Sequence, residues 1–254
     1  MGDSLAETIA GVQERAARAL PAPIVEYAGG WWLRHAPGCA WWVGTVLPYR
    51  DAAPGELLPR VIGAEKFYAD HGAVARFQIS PPASPAGLDD LLAQRGYRQE
   101  SLMFLLTAPT ATVLETVQGG PLRVDIDDGP TPEWFSVWQF AHNPGSDPGC
   151  EWATLERVAQ PCAYARAVVG DDTVAVGRAV ADTGWAGIFA MATLGPERGQ
   201  GAARSVLAAL ARWADGQQAT QLYLQVPCDN DPAVRLYQRA GFTELSTYHY
   251  RAAV

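Results

Sequence analysis

Lysine is almost missing from this chain: of 19 basic side chains only Lys66 is a lysine, and 27 Asp plus Glu leave a net charge of −8. The deficit falls on both halves, −3 over residues 1–120 and −5 over 121–254. Neither half has the basic excess that a phosphate backbone requires, which sets nucleic acid aside as a partner. An acidic surface serves solubility and weakly favours encounter with cationic amines. Cysteine is also sparse. Cys39, Cys150, Cys162 and Cys228 form no CxxC pair and have no histidine at ligand spacing. No metal site is expected, and the four read as incidental thiols of a reducing compartment. Long apolar runs are absent too. The longest, Trp185 to Leu194, falls short of the roughly 20 residues that span a bilayer, and the N-terminus has acids early where a secretory signal is apolar. A soluble, cytoplasmic protein with no membrane partner is expected. Ala, Gly and Pro abound instead, as in a GC-rich bacterial genome.

The 254 residues, 48% of them hydrophobic, suffice for a full core in one large domain or two small ones. Residues 4–20 place Leu5, Ile9, Val12, Ala16 and Ala19 on one stripe, predicting a helix that Pro21 and Pro23 stop. Two β-rich runs joined at Pro37-Gly38 predict a hairpin. A helix over 58–70, a strand over 75–80, a helix over 86–95 and a strand over 101–108 follow. Residues 109–120, with Pro109 and Gly119-Gly120-Pro121, read as a turn-rich linker between domains. The second half restarts with a strand at 122–126 and helices after Pro132 and over 151–159. Three strands then form an antiparallel meander with turns at Asp171-Asp172 and Asp182-Thr183-Gly184. A helix over 201–214, a strand, a helix over 231–240 and a final strand close the chain. The fold class is α/β with a mixed sheet.

The halves resemble each other. LLAQRGYRQESLMFLLTA (91–108) and LYQRAGFTELSTYHYRA (236–252) share a helix end, a Gly-aromatic pair and a strand, aligning Gly96 with Gly241, Tyr97 with Phe242 and Leu92 with Tyr237. A single repeat unit this long points to duplicated domains, 1–110 and 121–254, rather than a solenoid.

The sharpest local feature is Arg198-Gly199-Gln200-Gly201-Ala202-Ala203, between an apolar strand and a helix. Its glycines allow successive N–H groups to converge, and the helix start adds positive dipole, which suits a pyrophosphate. It is neither a Walker loop nor a Rossmann fingerprint, because a meander precedes it. RGQGAA fits the Gln/Arg-x-x-Gly-x-Gly/Ala motif of the GNAT acetyltransferase superfamily. The stretch with Asn230, Ala233, Leu236-Tyr237 and Gly241-Phe242 resembles that family's Asn-x-x-Ala-x-x-Leu-Tyr-x-x-x-Gly-Phe segment. The second half is similar to a complete GNAT domain and the first to a degenerate copy without the loop, so tandem GNAT folds are expected.

The resemblance implies acetyl-CoA as co-substrate and a small-molecule or peptide amine as acceptor. It assigns the backbone of Met191 and Thr193 to the pantetheine arm, and Gly199, Gln200, Gly201, Ala202 and Ala203 to the pyrophosphate. Arg204 and Arg198 add charge there, although Arg198 equally reads as a solvated helix-start residue; Asn230 belongs to the same cofactor side. Pro196 lies two positions before Arg198 where three is usual, which alters only the start of the loop. Tyr237, two helical turns from Asn230, is the implied acid for the departing thiolate, and Leu92 at the matching position of the first half cannot donate. The base is left open among His142, Asp147, Glu151 and His249, or none, because WAGIFAMATL contains no acid. Trp138 and His142 are the substrate-side candidates, with Trp134 and Trp152 either core or aromatic wall. In the doublets Trp31-Trp32 and Trp41-Trp42, strand alternation sets one indole inward and one outward, for contact between the halves or within a homodimer. The alternative to an enzyme is a non-catalytic acyl-CoA-binding or regulatory module; a third is an interaction protein built on two spent folds.

Overall fold

The computed structural model describes all residues except 1–3, 50, 51, 54, 118, 143, 144 and 254. The chain divides into two compact units, Met1–Phe104 with Leu245–Val254, and Leu105–Glu244.

In the first unit, α1 (Leu5–Arg18) begins at a capping box. The Ser4 hydroxyl accepts from the Glu7 N–H, and the Glu7 carboxylate accepts from the Ser4 N–H at 2.7 Å, satisfying two orphan donors. Strands β1 (Ile24–Ala28) and β2 (Trp31–His35) pair antiparallel. Their turn is Gly29-Gly30, both at positive φ, not Pro37-Gly38, because a tight hairpin needs left-handed residues. Trp31 is buried and Trp32 half-exposed, as strand alternation requires. Trp41–Val43 is a 3-10 turn, so alternation does not govern the second doublet. After β3 (Val46–Leu47), α2 (Leu57–Asp70), β4 (Arg76–Ile79) and α3 (Leu88–Gln94), the chain enters β5 (Arg98–Pro109). The last strand, β11 (Thr243–Ala252), lies antiparallel to β4 with His249 opposite Ile79. Trp31, Tyr68, Phe77, Leu88, Leu92 and Tyr97 form the core of this unit.

The second unit opens with a correction. Residues Thr110–Thr116 form helix α4 where the composition reads as linker. Val113 is fully buried, and the Thr110 hydroxyl donates to the Ala219 carbonyl at 2.6 Å; packing overrides the weak local propensity of Thr-rich sequence. The elements β6 (Arg123–Asp127), α5 (Pro132–His142), α6 (Pro148–Glu156), β7 (Cys162–Val169), β8 (Asp172–Asp182) and β9 (Trp185–Thr193) follow. Strands β7 to β9 are the expected antiparallel meander, and β6 adds to its edge, antiparallel to β7. Thr183 and Gly184 both take positive φ, the signature of the tightest hairpin turn. Then come α7 (Ala202–Gly216), β10 (Gln221–Pro227), parallel to β9, and α8 (Asp231–Arg239). Trp134 and Val137 of α5 pack on Tyr164, Val176 and Ala192. On the opposite face Gly177 abuts Val206 and Leu210 of α7. The sheet is thus sandwiched between helices, each burying an apolar stripe. Cys162 and Cys228 are free thiols; Cys39 and Cys150 are not, because thiol state follows proximity in space, which sequence spacing does not report.

Candidate active site

The site grows out of an irregularity in β9. Its pairing with β8 runs from Asp182↔Trp185 to Arg178↔Phe189 and resumes one residue out of step at Val176↔Ala192. Gly177 therefore faces two residues, Ala190 and Met191, and Ala190 takes φ +54, a β-bulge. A bulge frees backbone groups that must find other partners. Trp134, wholly buried, answers one of them: its indole Nε1 donates to the Gly177 carbonyl at 3.0 Å.

Beyond the bulge β9 loses its other neighbour. Pairing with β10 covers only Gln221↔Trp185 through Leu224↔Ile188, so the two strands part from Phe189 onward. The ladder fixes which groups face the opening. The Leu194 N–H donates to the Val174 carbonyl at 3.0 Å, and antiparallel pairs alternate between bonded and non-bonded. Ala192 therefore bonds toward β8, while the backbone groups of Met191 and Thr193 point away from it. One of these positions meets a side chain of this chain: Arg198 Nε donates to the Thr193 carbonyl at 3.3 Å.

The strand leads through a 3-10 turn at Gly195–Glu197 into the glycine loop. Gly199 takes φ +79 and Gly201, the N-cap of α7, φ +85. Arg198, Gly199, Gln200 and Arg204 are exposed, Ala203 half-buried and Ala202 buried. The first-turn N–H groups of α7 have no helical acceptor, and they emerge beside this open loop. Gln200 Nε2 donates to the Pro196 carbonyl at 3.1 Å and braces the turn. A Cβ on Gly201 would approach Pro121 Cδ at 3.1 Å, and one on Gly120 would overlap Ser205, so the segment entering β6 clamps the start of α7.

At the end of β10, Asn230 caps α8, its Oδ1 accepting from the Ala233 N–H at 3.3 Å. Tyr237 is buried against Phe242, with ring centroids 5.8 Å apart. Burial alone pushes its phenol well above the ordinary value, so the hydroxyl keeps its proton. The helix end repeats that of α3: the Phe242 N–H reaches the Tyr237 carbonyl at 3.0 Å, as the Tyr97 N–H reaches that of Leu92 at 3.0 Å. Gly241 and Gly96 both sit at positive φ, so the aligned motifs share one C-cap.

Among the base candidates, Asp147 caps α6 by accepting from the Gly149 N–H at 3.1 Å, and Glu151 is buried. His249 belongs to the first unit, where it pairs with Asp89 at 2.8 Å. Trp138 stacks on Trp134 and lies 5.9 Å from His142. The structure thus draws Met191, Thr193 and the glycine loop along one edge of β9, with Trp138 packed against Ala192 and His142 beside Trp138. Ala190 and Gly177, which make that edge, escape the sequence reading, although a glycine in mid-strand is a bulge signal; Trp134, one of the residues read as core or aromatic wall, is core. Among the described residues no group of His, Cys, Asp or Glu could hold a metal ion, and no helix is long and apolar enough to cross a membrane.

Residues 7–251 match the family described as "Probable histone acetyltransferase Rv0428c C-terminal". The chain belongs to the GNAT acetyltransferases. It is similar to an uncharacterized N-acetyltransferase, YobR, of Bacillus subtilis strain 168, 29% identical over 245 residues that cover 94% of this chain and 96% of that protein. Its fold is similar to that of a GCN5-related N-acetyltransferase from Kribbella flavida, at a TM-score of 0.75 and 19% identity, over 99% of this chain and 96% of that one. It also resembles a tandem GNAT protein from the clavulanic acid biosynthesis pathway, at a TM-score of 0.68 and 12% identity, over 98% of this chain and 87% of that one. In this GNAT chain, as among those neighbours, the mixed α/β fold is established.

Proposed function

We propose that the unit Leu105–Glu244 transfers an acetyl group from acetyl-CoA to a primary amine by direct attack, and that Met1–Phe104 supports it without chemistry of its own. The observation that carries this reading is the parting of β9 from β10 at Phe189, with Met191 and Thr193 facing the gap and the strand leading through the Gly195–Glu197 turn into a glycine-built helix start. An extended thioester arm pairs with such an edge as an added strand. The N–H groups from Gly199 to Arg204 suit its pyrophosphate, with Arg198 and Arg204 contributing charge and Asn230 bordering the same side. Acetyl-CoA supplies the acetyl group, already activated as a thioester. The outward N–H groups of β9 are donors for the charge that develops on the carbonyl oxygen. Tyr237, held protonated, gives its proton to the departing sulfur.

The acceptor is a small-molecule or peptide amine; the acidic chain favours a cationic one, and Trp138 offers it an aromatic face. One observation favours a second reading, a non-catalytic acyl-CoA-binding module: β9 carries no acidic side chain. Calorimetry with acetyl-CoA and a thiol-release assay over a panel of amines and peptides separate the two. Binding with CoA release supports the transferase; tight binding without release supports the module; no binding at millimolar acetyl-CoA removes both.

A further inference from the structure

The first unit holds two depressions that share Ala73-Val74-Ala75 as a common wall, and they differ in how their charges are used. One, of about 490 Å³, carries Glu65, Arg95 and Tyr97. There Arg95 Nη2 donates to both Glu65 oxygens at 2.9 and 2.8 Å, and the Tyr97 hydroxyl adds a bond at 3.1 Å, so those groups are engaged with one another. The other, of about 260 Å³, is walled by His35, the Pro37-Gly38 turn, Trp41, Val74 and Arg76. Here the Arg76 guanidinium lies over the Trp41 indole at 4.3 Å. Its Nη2 reaches one oxygen of Glu100 at 3.3 Å, and its Nε is buried with no acceptor among the described residues. We propose that this second cavity is a binding site for a small monocarboxylate with an apolar body, whose carboxylate Arg76 receives.

Three observations support it. The first is the incomplete hydrogen bonding of Arg76, since a buried donor normally finds an acceptor. A carboxylate entering the cavity meets the exposed part of this side chain. A tilt of the guanidinium then brings the orphaned Nε–H to its second oxygen, the two-pronged contact that arginine offers a carboxylate. Glu100 is a weak competitor, because its carboxylate is 40% exposed and makes a single contact at 3.3 Å. The second observation is the platform. The Trp41 indole is fixed edge-on by Trp42 and Tyr250, with ring centroids 5.7 and 4.8 Å away, so the cation is presented on a rigid base. The third is charge. Burial, and then the neighbouring His71, hold His35 below the ordinary histidine value, so its ring is neutral at pH 7. Arg76 is then the one standing cation among the described lining residues, and it matches a single negative charge. A phosphate dianion would keep charge uncompensated beside Glu100. Pro37, Val74 and several alanines complete the wall, an apolar surface for the rest of the ligand.

The site lies wholly within the first unit, and it stands whether or not the second unit transfers acetyl groups. It gives the unit that lacks a glycine loop a ligand of its own, bound by side-chain charge where the second unit relies on backbone N–H groups. The ligand is held without any covalent step.

The test uses the full-length protein at neutral pH, with benzoate as the probe and two controls: benzamide, which keeps the shape without the charge, and inorganic phosphate. Binding is followed by saturation-transfer NMR and calorimetry. Benzoate is expected to bind saturably, and benzamide and phosphate about tenfold more weakly or less, as the loss of a charge-assisted hydrogen bond predicts. Arg76→Gln is expected to weaken benzoate by a similar factor, about tenfold or more. Glu100→Gln removes the competing carboxylate and is expected to tighten binding. Val74→Trp, at a position 63% exposed, leaves the interior intact and obstructs the cavity, so it is expected to weaken binding with Arg76 unchanged. Arg95→Gln, in the neighbouring depression, is expected to have no effect on benzoate. Circular dichroism checks each variant, and if Arg76→Gln does not fold, Val74→Trp and Glu100→Gln decide. The assignment is overturned by wild-type protein that shows no saturable benzoate binding, by benzamide or phosphate binding as tightly as benzoate, or by folded variants at Arg76 and Val74 that keep the wild-type affinity. Acetyl-CoA affinity, measured on the same samples, is expected to be unchanged in all four variants, so this site and the acetyltransferase reading fail separately.

Discussion

Replacing Trp134 by Phe tests whether the bulge in β9 is held from outside the sheet. The indole Nε1 donates to the Gly177 carbonyl at 3.0 Å, and the side chain is completely buried. Phenylalanine removes the donor and leaves that carbonyl without its partner, which costs about 1–3 kcal/mol. The smaller ring also gives up on the order of 40 Å² of apolar contact, or about 1 kcal/mol at 25 cal/mol per Å². The sum is about 2–4 kcal/mol, a Tm loss on the order of 10 °C at this chain length. Trp138→Phe, on the next turn of α5, loses the area term and no comparable hydrogen bond, so its loss is about 1 kcal/mol. Thermal unfolding followed by circular dichroism ranks the two variants. Hydrogen exchange then asks whether the amides of Ala190 and Met191 open faster in Trp134→Phe alone. Equal stabilities and equal exchange would refute the idea that the indole secures the bulge.

Tyr237→Phe should lower kcat about 10²-fold or more and leave the acetyl-CoA dissociation constant unchanged in calorimetry; an unchanged kcat removes Tyr237 as the acid. Gly201→Asp puts a side chain at φ +85 and a negative charge where the pyrophosphate is expected. Acetyl-CoA binding should vanish, whereas Gly201→Ala, with the backbone cost of about 1–2 kcal/mol but no charge, should keep measurable affinity; equal losses would argue against an anion cradle. In the first unit, Arg251 and then His249 hold the Asp89 carboxyl below the ordinary range, against the opposing effect of burial. A carboxylate with a lowered folded-state pKa stabilises above its unfolded value of about 3.9 and loses that contribution as pH falls through the lower, folded value. Asp89→Asn should therefore cost about 1 kcal/mol at neutral pH, the pair being partly solvated, and the difference from wild type should shrink in acid; a constant difference down to about pH 2 would contradict it.

Most of the second unit was legible because its signals are local. Turn residues mark the meander, Gly199 and Gly201 take the left-handed conformations that a glycine loop announces, and Asn230 caps the helix that its position suggests. What the sequence hides depends on contacts far along the chain. Thr110–Thr116 is helical because it packs on residues some 100 positions later, as the Thr110–Ala219 hydrogen bond illustrates. The Gly29-Gly30 turn was overlooked in favour of Pro37-Gly38, although two adjacent glycines provide the positive φ angles a hairpin needs. The bulge was hidden for another reason. Ala190 carries no mark of an unusual conformation, and only Gly177 opposite, too crowded by Met191 and Val206 for any Cβ, betrays it.

The scarcity of lysine takes on meaning at the glycine loop. A protein of charge −8 is repelled at long range by a nucleotide bearing several phosphates, and ammonium side chains are the usual remedy. Screening limits that repulsion to about 8 Å at physiological ionic strength, so most of the 27 carboxylates do not matter at the loop. What matters acts at contact. The N–H groups at the start of α7 and the end of its dipole are fixed by the backbone, through Gly199, Gly201 and the clamp of Gly120 and Pro121 on that helix. They need neither a long flexible side chain nor the entropy of immobilising one. Under the proposed function, phosphate recognition is thus a property of backbone shape more than of side-chain charge. The two arginines nearby are then free for other duties: Arg198 already holds the Thr193 carbonyl at the edge where the thioester arm would pair, linking the phosphate end of the site to its reacting end.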